Sequence, residues 1–297
     1  MEHQGRGVVV GYDGSPGSEV SLDWAAAAAK RQRLPLTVVC AVDVVLAPVE
    51  PMQSIDRLPD EIQQSSQRTL DEGMARAAKV LDDSQVHGIR SVGSAGAVLV
   101  KESEGAAFVV TGSRGRGRFA SGLLGSVSYA VTAHASCPAV VVRGESPVHP
   151  DPEHKVVVGV DDSEASDRAL DIAADIAANS DAKLHIVRVG HLPASPESYA
   201  YVEDSKAGTE HTHEIRDEAE HTVRRASERV RNAHPDLTVE TEVLYGDAGH
   251  VLSPLGARAG LLVVGSRGRG GFAGLVLGSV SHIVIHEAEC PVMVVHD

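Results

Sequence analysis

Two stretches of glycine, arginine and serine dominate the residues able to do chemistry. The first runs Gly112-Ser113-Arg114-Gly115 and, after nine further residues, closes on Gly125-Ser126. The second runs Gly265-Ser266-Arg267-Gly268 and closes on Gly278-Ser279 with the same spacing. Glycine lets backbone approach a ligand closely and reaches φ > 0, and successive N–H groups in such a loop form an anion-binding nest. Ser126 and Ser279 stand where a helix is expected to begin; helix N-termini carry unpaired N–H donors and partial positive charge, which suit phosphate. Ser126, Ser128, Ser279 and Ser281 add hydroxyl donors, and Arg114 and Arg267 add positive charge. Asp13 and Asp161 each end an apolar run. A carboxylate has the wrong sign for phosphate; it suits a ribose hydroxyl, an adenine amino group or a metal on the phosphates, or it caps the following helix. A Gly/Arg loop between strand and helix also serves as a plain turn. Two copies of identical spacing weigh against that, because an unconstrained loop tolerates length change.

These residues sit in a repeat. Val8-Val9-Val10-Gly11-Tyr12-Asp13-Gly14-Ser15 returns as Val156-Val157-Val158-Gly159-Val160-Asp161-Asp162-Ser163, Leu124-Gly125-Ser126-Val127-Ser128 as Leu277-Gly278-Ser279-Val280-Ser281, and Cys137-Pro138 as Cys290-Pro291. The offset, about 150 residues, is too long for a solenoid and fits a duplicated domain. The expected domains are 1–144 and 155–297, joined by Gly144 to His154 with Pro147, Pro150 and Pro152, a composition that precludes a helix across the joint.

Each half reads as alternating strands and helices. In the first, strands are expected at Arg6 to Tyr12, Leu36 to Val44, Ile89 to Val92, Ala106 to Gly112 and Ala139 to Arg143. Helices are expected from Ser15-Pro16 to about Arg33, from Asp60 to about Gln85, at Gly96 to Ser103 and at Ser126 to Ala135. Pro254 falls inside the short helix expected over His250 to Ala259, so that helix should be short or irregular. The pattern predicts an α/β fold with a parallel sheet and helices on both faces in each half. Such sheets bind ligands at the carboxyl ends of their strands, where strand order reverses.

Composition agrees. The 297 residues suit about two domains. Apolar content is 42% but aromatic content only 3%, so the core must be built from Val, Ala, Leu and Ile. A net charge of -14 repels nucleic acid. Three cysteines without a CxxC suit a reducing compartment. No signal-peptide pattern and no run of about 18 apolar residues is seen, so a cytoplasmic protein without a membrane span is expected.

Other motifs carry less. There is no GxxxxGK[ST] and no GxSxG, and no general base stands beside the glycine loops, so fast ATP turnover is not expected. His213, Asp217 and His221, spaced four apart, read as a solvated helix face rather than a metal site. Cys40, Cys137 and Cys290 read as small buried hydrophobes, and Trp24 as core.

At these residues the chain resembles the universal stress protein family in its tandem form, over nearly its whole length. Gly-x2-Gly-x9-Gly-Ser is that family's ATP-binding signature, and both copies are intact. The resemblance implies two tandem Rossmann-like domains, each an open five-stranded parallel sheet of order 3-2-1-4-5. It implies ATP, alone or with Mg, as ligand. Asp13 and Asp161 would lie near ribose and base, and Ala41 and Val189 would meet adenine through their backbones. Gly112, Arg114, Gly115, Gly125, Ser126, Val127 and Ser128 would hold ribose and phosphates in the first half. Gly265, Arg267, Gly268, Gly278, Ser279, Val280 and Ser281 would do so in the second. The binding set also includes Gly11 and Gly159. The last strands, Ala139 to Val142 and Val292 to Val295, would pair as a pseudo-dimer within one chain, with a homodimer also open. The implied function is a regulator of the stress response whose nucleotide occupancy controls conformation or the binding of an unidentified protein partner; a slow metal-dependent ATPase or nucleotide phosphohydrolase is the alternative. Asp162 replaces Gly14, placing a second carboxylate near the second site where it would weaken phosphate binding or recruit a cation, and Gly271 replaces Arg118, removing a positive charge, so the second site is expected to be the weaker.

Overall fold

The structure, a computed structural model, describes residues 7–43, 55–113, 124–144, 146–190, 206–268 and 277–296, with backbone alone for 57 and 206–212. Arg114 and Gly115 lie outside the described residues, as do Arg118 and Gly271. The chain forms two compact units, Met1–Pro147 and Val148–Asp297.

The first unit runs β1 (Val8–Gly11), α1 (Pro16–Gln32), β2 (Leu36–Val42), α2 (Asp60–Ala77), β3 (Val86–Val92), α3 (Ala95–Glu102), β4 (Phe108–Gly112), α4 (Ser126–His134) and β5 (Ala139–Val142). The second runs β6 (Lys155–Gly159), α5 (Glu164–Asn179), β7 (Leu184–Gly190), α6 (Lys206–Ala233), β8 (Val239–Tyr245), α7 (Ala248–Leu252), β9 (Ala259–Gly265), α8 (Ser279–Glu287) and β10 (Val292–Val295). Strand order is β3-β2-β1-β4-β5 in the first and β8-β7-β6-β9-β10 in the second, and every pairing within each unit is parallel. Each unit therefore has the expected 3-2-1-4-5 order.

The β-branched runs explain this. Val8, Val9, Val10, Val156, Val157 and Val158 are all fully buried, as a strand covered on both faces requires. On one face of the first sheet, Val9, Val39 and Val109 pack with Val98 and Leu99 of α3 and Val131 of α4. α1 and α2 meet each other on the sheet, as α3 and α4 do. Trp24 is buried. No helix among the described residues is long and apolar enough to cross a membrane.

In the first unit, two boundaries differ from the sequence expectation by three residues or more. α2 ends at Ala77, not near Gln85. The amides of Val80 and Leu81 both return to Ala77 O, and the turn carries Leu81 into the core at 5% exposure. β3 begins at Val86 rather than Ile89, pairing with β2 from Leu36↔Val86 to Val42↔Val92. It is an edge strand and half exposed, so His87, Gly88, Arg90 and Ser91 hide it from a search for apolar runs. Pro254 acts as expected: α7 stops at Leu252 and a 3-10 turn, Ser253–Arg258, carries the proline in its first turn.

Residues after Pro147 fold onto the second unit. The Asp151 carboxylate accepts from the amides of Glu153 and His154, both at 2.8 Å. Gly260 lies so close to His149-Pro150 that an added Cβ would stand 2.3 Å from Pro150 N.

His185, near the start of β7, is buried, and its Nε2 meets Glu242 at 3.0 Å. Burial, and then the Lys155 charge, hold its pKa below the ordinary 6.5 despite Glu242 and Glu240. The unfolded chain then takes up the proton first, so this contribution is complete above about pH 6.5 and is lost as pH falls through that value. Urea unfolding of the second unit should show a lower midpoint at pH 5.5 than at pH 7.5. The difference should shrink in His185→Gln; an equal difference in the variant would contradict the assignment.

Candidate functional site

Both units build the same turn after their first strand. Beyond Gly11, Tyr12 N donates to Val39 O at 2.9 Å; beyond Gly159, Val160 N donates to Val187 O at 2.9 Å. Asp13 Oδ1 accepts from Ser15 N at 3.0 Å and Ser15 Oγ at 2.6 Å. Asp161 Oδ1 accepts from Ser163 N at 3.1 Å and Ser163 Oγ at 2.6 Å. Each serine hydroxyl in turn accepts from the amide of Ser18 (3.3 Å) or Ser166 (3.2 Å). The helix caps are thus Ser15 and Ser163. The aspartates orient the capping hydroxyls, and the caps hold both carboxylates at the strand ends.

The next residue departs between units. Gly14 and Asp162 both take left-handed backbone, φ 76 and 65. Asp162 is held there by Thr222 and Arg225 of α6, which donate to its carboxylate. The expectation that Asp162 places a second carboxylate at the crevice is corrected. Its charge is turned to α6 and paired with Arg225, and Asp162 is not among the crevice walls.

The glycine loops close the same way. Gly125 N donates to Ser113 O at 3.0 Å, and Gly278 N to Ser266 O at 2.7 Å. Ser128 Oγ donates to Gly112 O at 2.6 Å, and Ser281 Oγ to Ser266 O at 3.0 Å. Both serines are buried, and their hydroxyls serve the loop. α4 and α8 start under Gly125 and Gly278. A glycine cap has no side-chain acceptor, so the first-turn N–H groups, which have no intrahelical partner, are left to solvent or a ligand.

In the second unit these parts border a crevice of about 550 Å³ at the carboxyl ends of the neighbouring strands β6 and β9, within the range of small-molecule sites. Its walls bring together Gly159, Asp161, Val189, Gly265, Arg267, Gly268, Gly278, Ser279, Val280 and Ser281, the whole second-half set singled out in the sequence. Gly268 is there for a steric reason. An added Cβ would stand 2.4 Å from Asp161 Oδ2, so the loop lies directly on the carboxylate. Gly159 makes room for Leu252, whose Cδ1 would be 2.9 Å from an added Cβ.

In the first unit Gly11, Asp13, Ala41, Gly112, Gly125, Ser126, Val127 and Ser128 hold the matching places on β1, β2, β4 and α4. Gly11 likewise makes room for Leu99, 2.8 Å from an added Cβ.

Sequence reasoning missed the apolar wall from α7, Ala248 and Leu252, and also Arg188 beside Val189. A signal for α7 exists: Gly93-Ser94-Ala95-Gly96 returns as Gly246-Asp247-Ala248-Gly249. Gly249 lets α7 touch α8, an added Cβ there lying 2.6 Å from Ile283 Cβ. His213, Asp217 and His221 are exposed on α6, and the described residues hold no group of three or more His, Cys, Asp or Glu arranged for a metal.

The three cysteines are Cys40, Cys137 and Cys290. All three are free and buried, and burial pushes the Cys137 and Cys290 thiols up to about 12. A reactive thiol needs a depressed pKa and access. Iodoacetamide at pH 8 should therefore leave all three unmodified in the native protein and label all three in urea; rapid native labelling would contradict the burial.

A family model described as the universal stress protein family matches residues 6–143 and again residues 153–296. A universal stress protein of Mycobacterium bovis is 32% identical over 293 residues, spanning 97% of this chain and 96% of the relative. One from Mycobacterium tuberculosis is 31% identical over 299 residues, spanning 98% and 96%. The crystal structure of a universal stress protein from Archaeoglobus fulgidus aligns over 99% of both chains with a TM-score of 0.70 at 23% identity, a likeness of fold. Carrying the same domain twice, the chain belongs to the universal stress protein family.

Proposed function

We propose that the chain is a nucleotide-binding regulator of the stress response, with ATP or a close relative in each crevice and nucleotide occupancy setting the conformation that a protein partner reads. The observation that carries this is the second crevice itself. One cavity of about 550 Å³ is walled by a glycine loop, an uncapped helix start, Arg267 and the Asp161 carboxylate. Such a helix start offers N–H donors and positive potential to phosphate. Asp161 is an acceptor of the kind a ribose hydroxyl needs. The apolar wall of Val189, Ala248 and Leu252 suits the face of a base. The adenine, ribose and phosphate roles of the individual residues belong to this proposal, as do the cytoplasmic setting and the protein partner.

A ligand that binds only the folded chain stabilises it by RT ln(1 + [L]/Kd), about 2.7 kcal/mol at a hundredfold excess over Kd. Mg·ATP at millimolar concentration should therefore raise the melting temperature by several degrees and titrate calorimetrically towards two per chain. An unmoved melting curve together with a flat titration would contradict the proposal.

A further inference from the structure

We propose that the second crevice selects its purine through Arg188, and that it prefers a base carrying a 6-keto oxygen, guanine or hypoxanthine, over the 6-amino base adenine. The inference rests on the nucleotide reading of that crevice and adds the identity of the base.

The two units differ at one place on the base side. Register fixes the correspondence: Gly11 pairs with Val39 on β2, and Gly159 pairs with Val187 on β7. Counting on, Cys40 corresponds to Arg188, and Ala41 to Val189. A small buried thiol in the first unit is thus replaced in the second by a guanidinium that lines the crevice.

Arg188 is only partly spent on the protein. Its Nη1 donates to Val189 O at 3.2 Å. Its Nε is buried with no hydrogen-bond partner among the described residues. A buried donor without an acceptor is costly, by more for a charged group, so the guanidinium gains by turning toward an acceptor in the crevice that it lines. Arg188 also changes what the edge of the crevice asks for. A free Val189 carbonyl would accept a hydrogen from the amino group of adenine. Arg188 Nη1 takes one lone pair of that carbonyl and sets guanidinium donors beside it on the edge. Arginine has five N–H donors and no acceptor. Guanine and hypoxanthine offer two adjacent acceptors, O6 and N7, that match the arginine fork; adenine offers N7 beside an amino donor. Donor would face donor at adenine N6.

The test uses the full chain with Gly115→Glu, the first-half counterpart of Gly268→Glu in the repeated motif, which is expected to remove binding by the first half and leave the second. ATP, GTP and ITP are titrated calorimetrically; ITP shares O6 with GTP but lacks the 2-amino group, so it isolates the keto oxygen. GTP and ITP should bind about tenfold more tightly than ATP, the scale of one good bidentate contact. Arg188→Cys in the same background, restoring the residue of the first unit, should bring ATP level with or ahead of the other two. Arg188→Lys should keep only part of the preference, because an ammonium cannot make the fork. ATP binding as tightly as GTP and ITP, or a preference unmoved by Arg188→Cys, would overturn the base assignment alone. If the Gly115→Glu chain bound none of the three, the nucleotide reading of this crevice would fall and this inference with it.

Discussion

A chain carrying Gly268→Glu should lose the nucleotide of its second crevice and keep its fold. Gly268 sits on Asp161, so the first carbon of any side chain would stand 2.4 Å from Oδ2. That oxygen cannot simply swing away, because Oδ1 of the same carboxylate is held by the amide and hydroxyl of Ser163, which caps α5. The loop must move instead, taking with it the approach to Gly278, whose amide reaches back to Ser266 O at 2.7 Å. The new carboxylate also brings negative charge to the place where phosphate would lie. Losing two charge-assisted hydrogen bonds costs about 3 kcal/mol, which lowers affinity roughly a hundredfold or more. Calorimetry should find one site fewer per chain, with a circular dichroism spectrum unchanged. Full binding at both sites in Gly268→Glu would mean that the loop is not part of the site.

Leu262→Ala should strongly destabilise the second unit. Leu262 is fully buried in β9, with Val157 of β6 on one side and Val292 of β10 on the other. Removing a leucine side chain from such a place loses its transfer energy and leaves a cavity, about 3 kcal/mol in all. For a domain of this size that lowers the melting temperature by roughly 10 °C. Glu228→Ala, an exposed change on α6, should stay within about 0.5 kcal/mol of wild type. β9 ends two residues after Val263 on Gly265 at the crevice, so saturating nucleotide should recover part of the loss by binding only the folded state. A loss below about 1 kcal/mol would show that the site collapses around the truncation.

The central strands were easy to read because both faces of a parallel sheet are covered, which turns β1, β4, β6 and β9 into unbroken apolar runs. The edge strands were not: β3 and β8 carry polar residues on a half-exposed surface. The parallel sheet followed from the alternation of elements, and strand order from the family resemblance. At the site, a fixed spacing found the glycine loop and the helix starts. It could not find partners set far away in sequence. Asp162 looked like a second negative charge until Arg225, on α6, was seen to neutralise it. Leu252 and Ala248 reach the crevice from a helix of five residues, too short to show an amphipathic period. Arg188 read as one more strand residue, and only the sheet register within each unit showed that it takes the position that Cys40 holds in the first.

The measurement that bears most directly on the central claim is the small-molecule content of the protein as purified. The chain is denatured, and the released ligands are separated by chromatography and identified by mass spectrometry, for wild type, Gly115→Glu, Gly268→Glu and the double variant. The account predicts purine nucleotide approaching two per chain in wild type, one in each single variant and none in the double. Wild-type protein that releases no nucleotide, and then takes none up on titration, would contradict it.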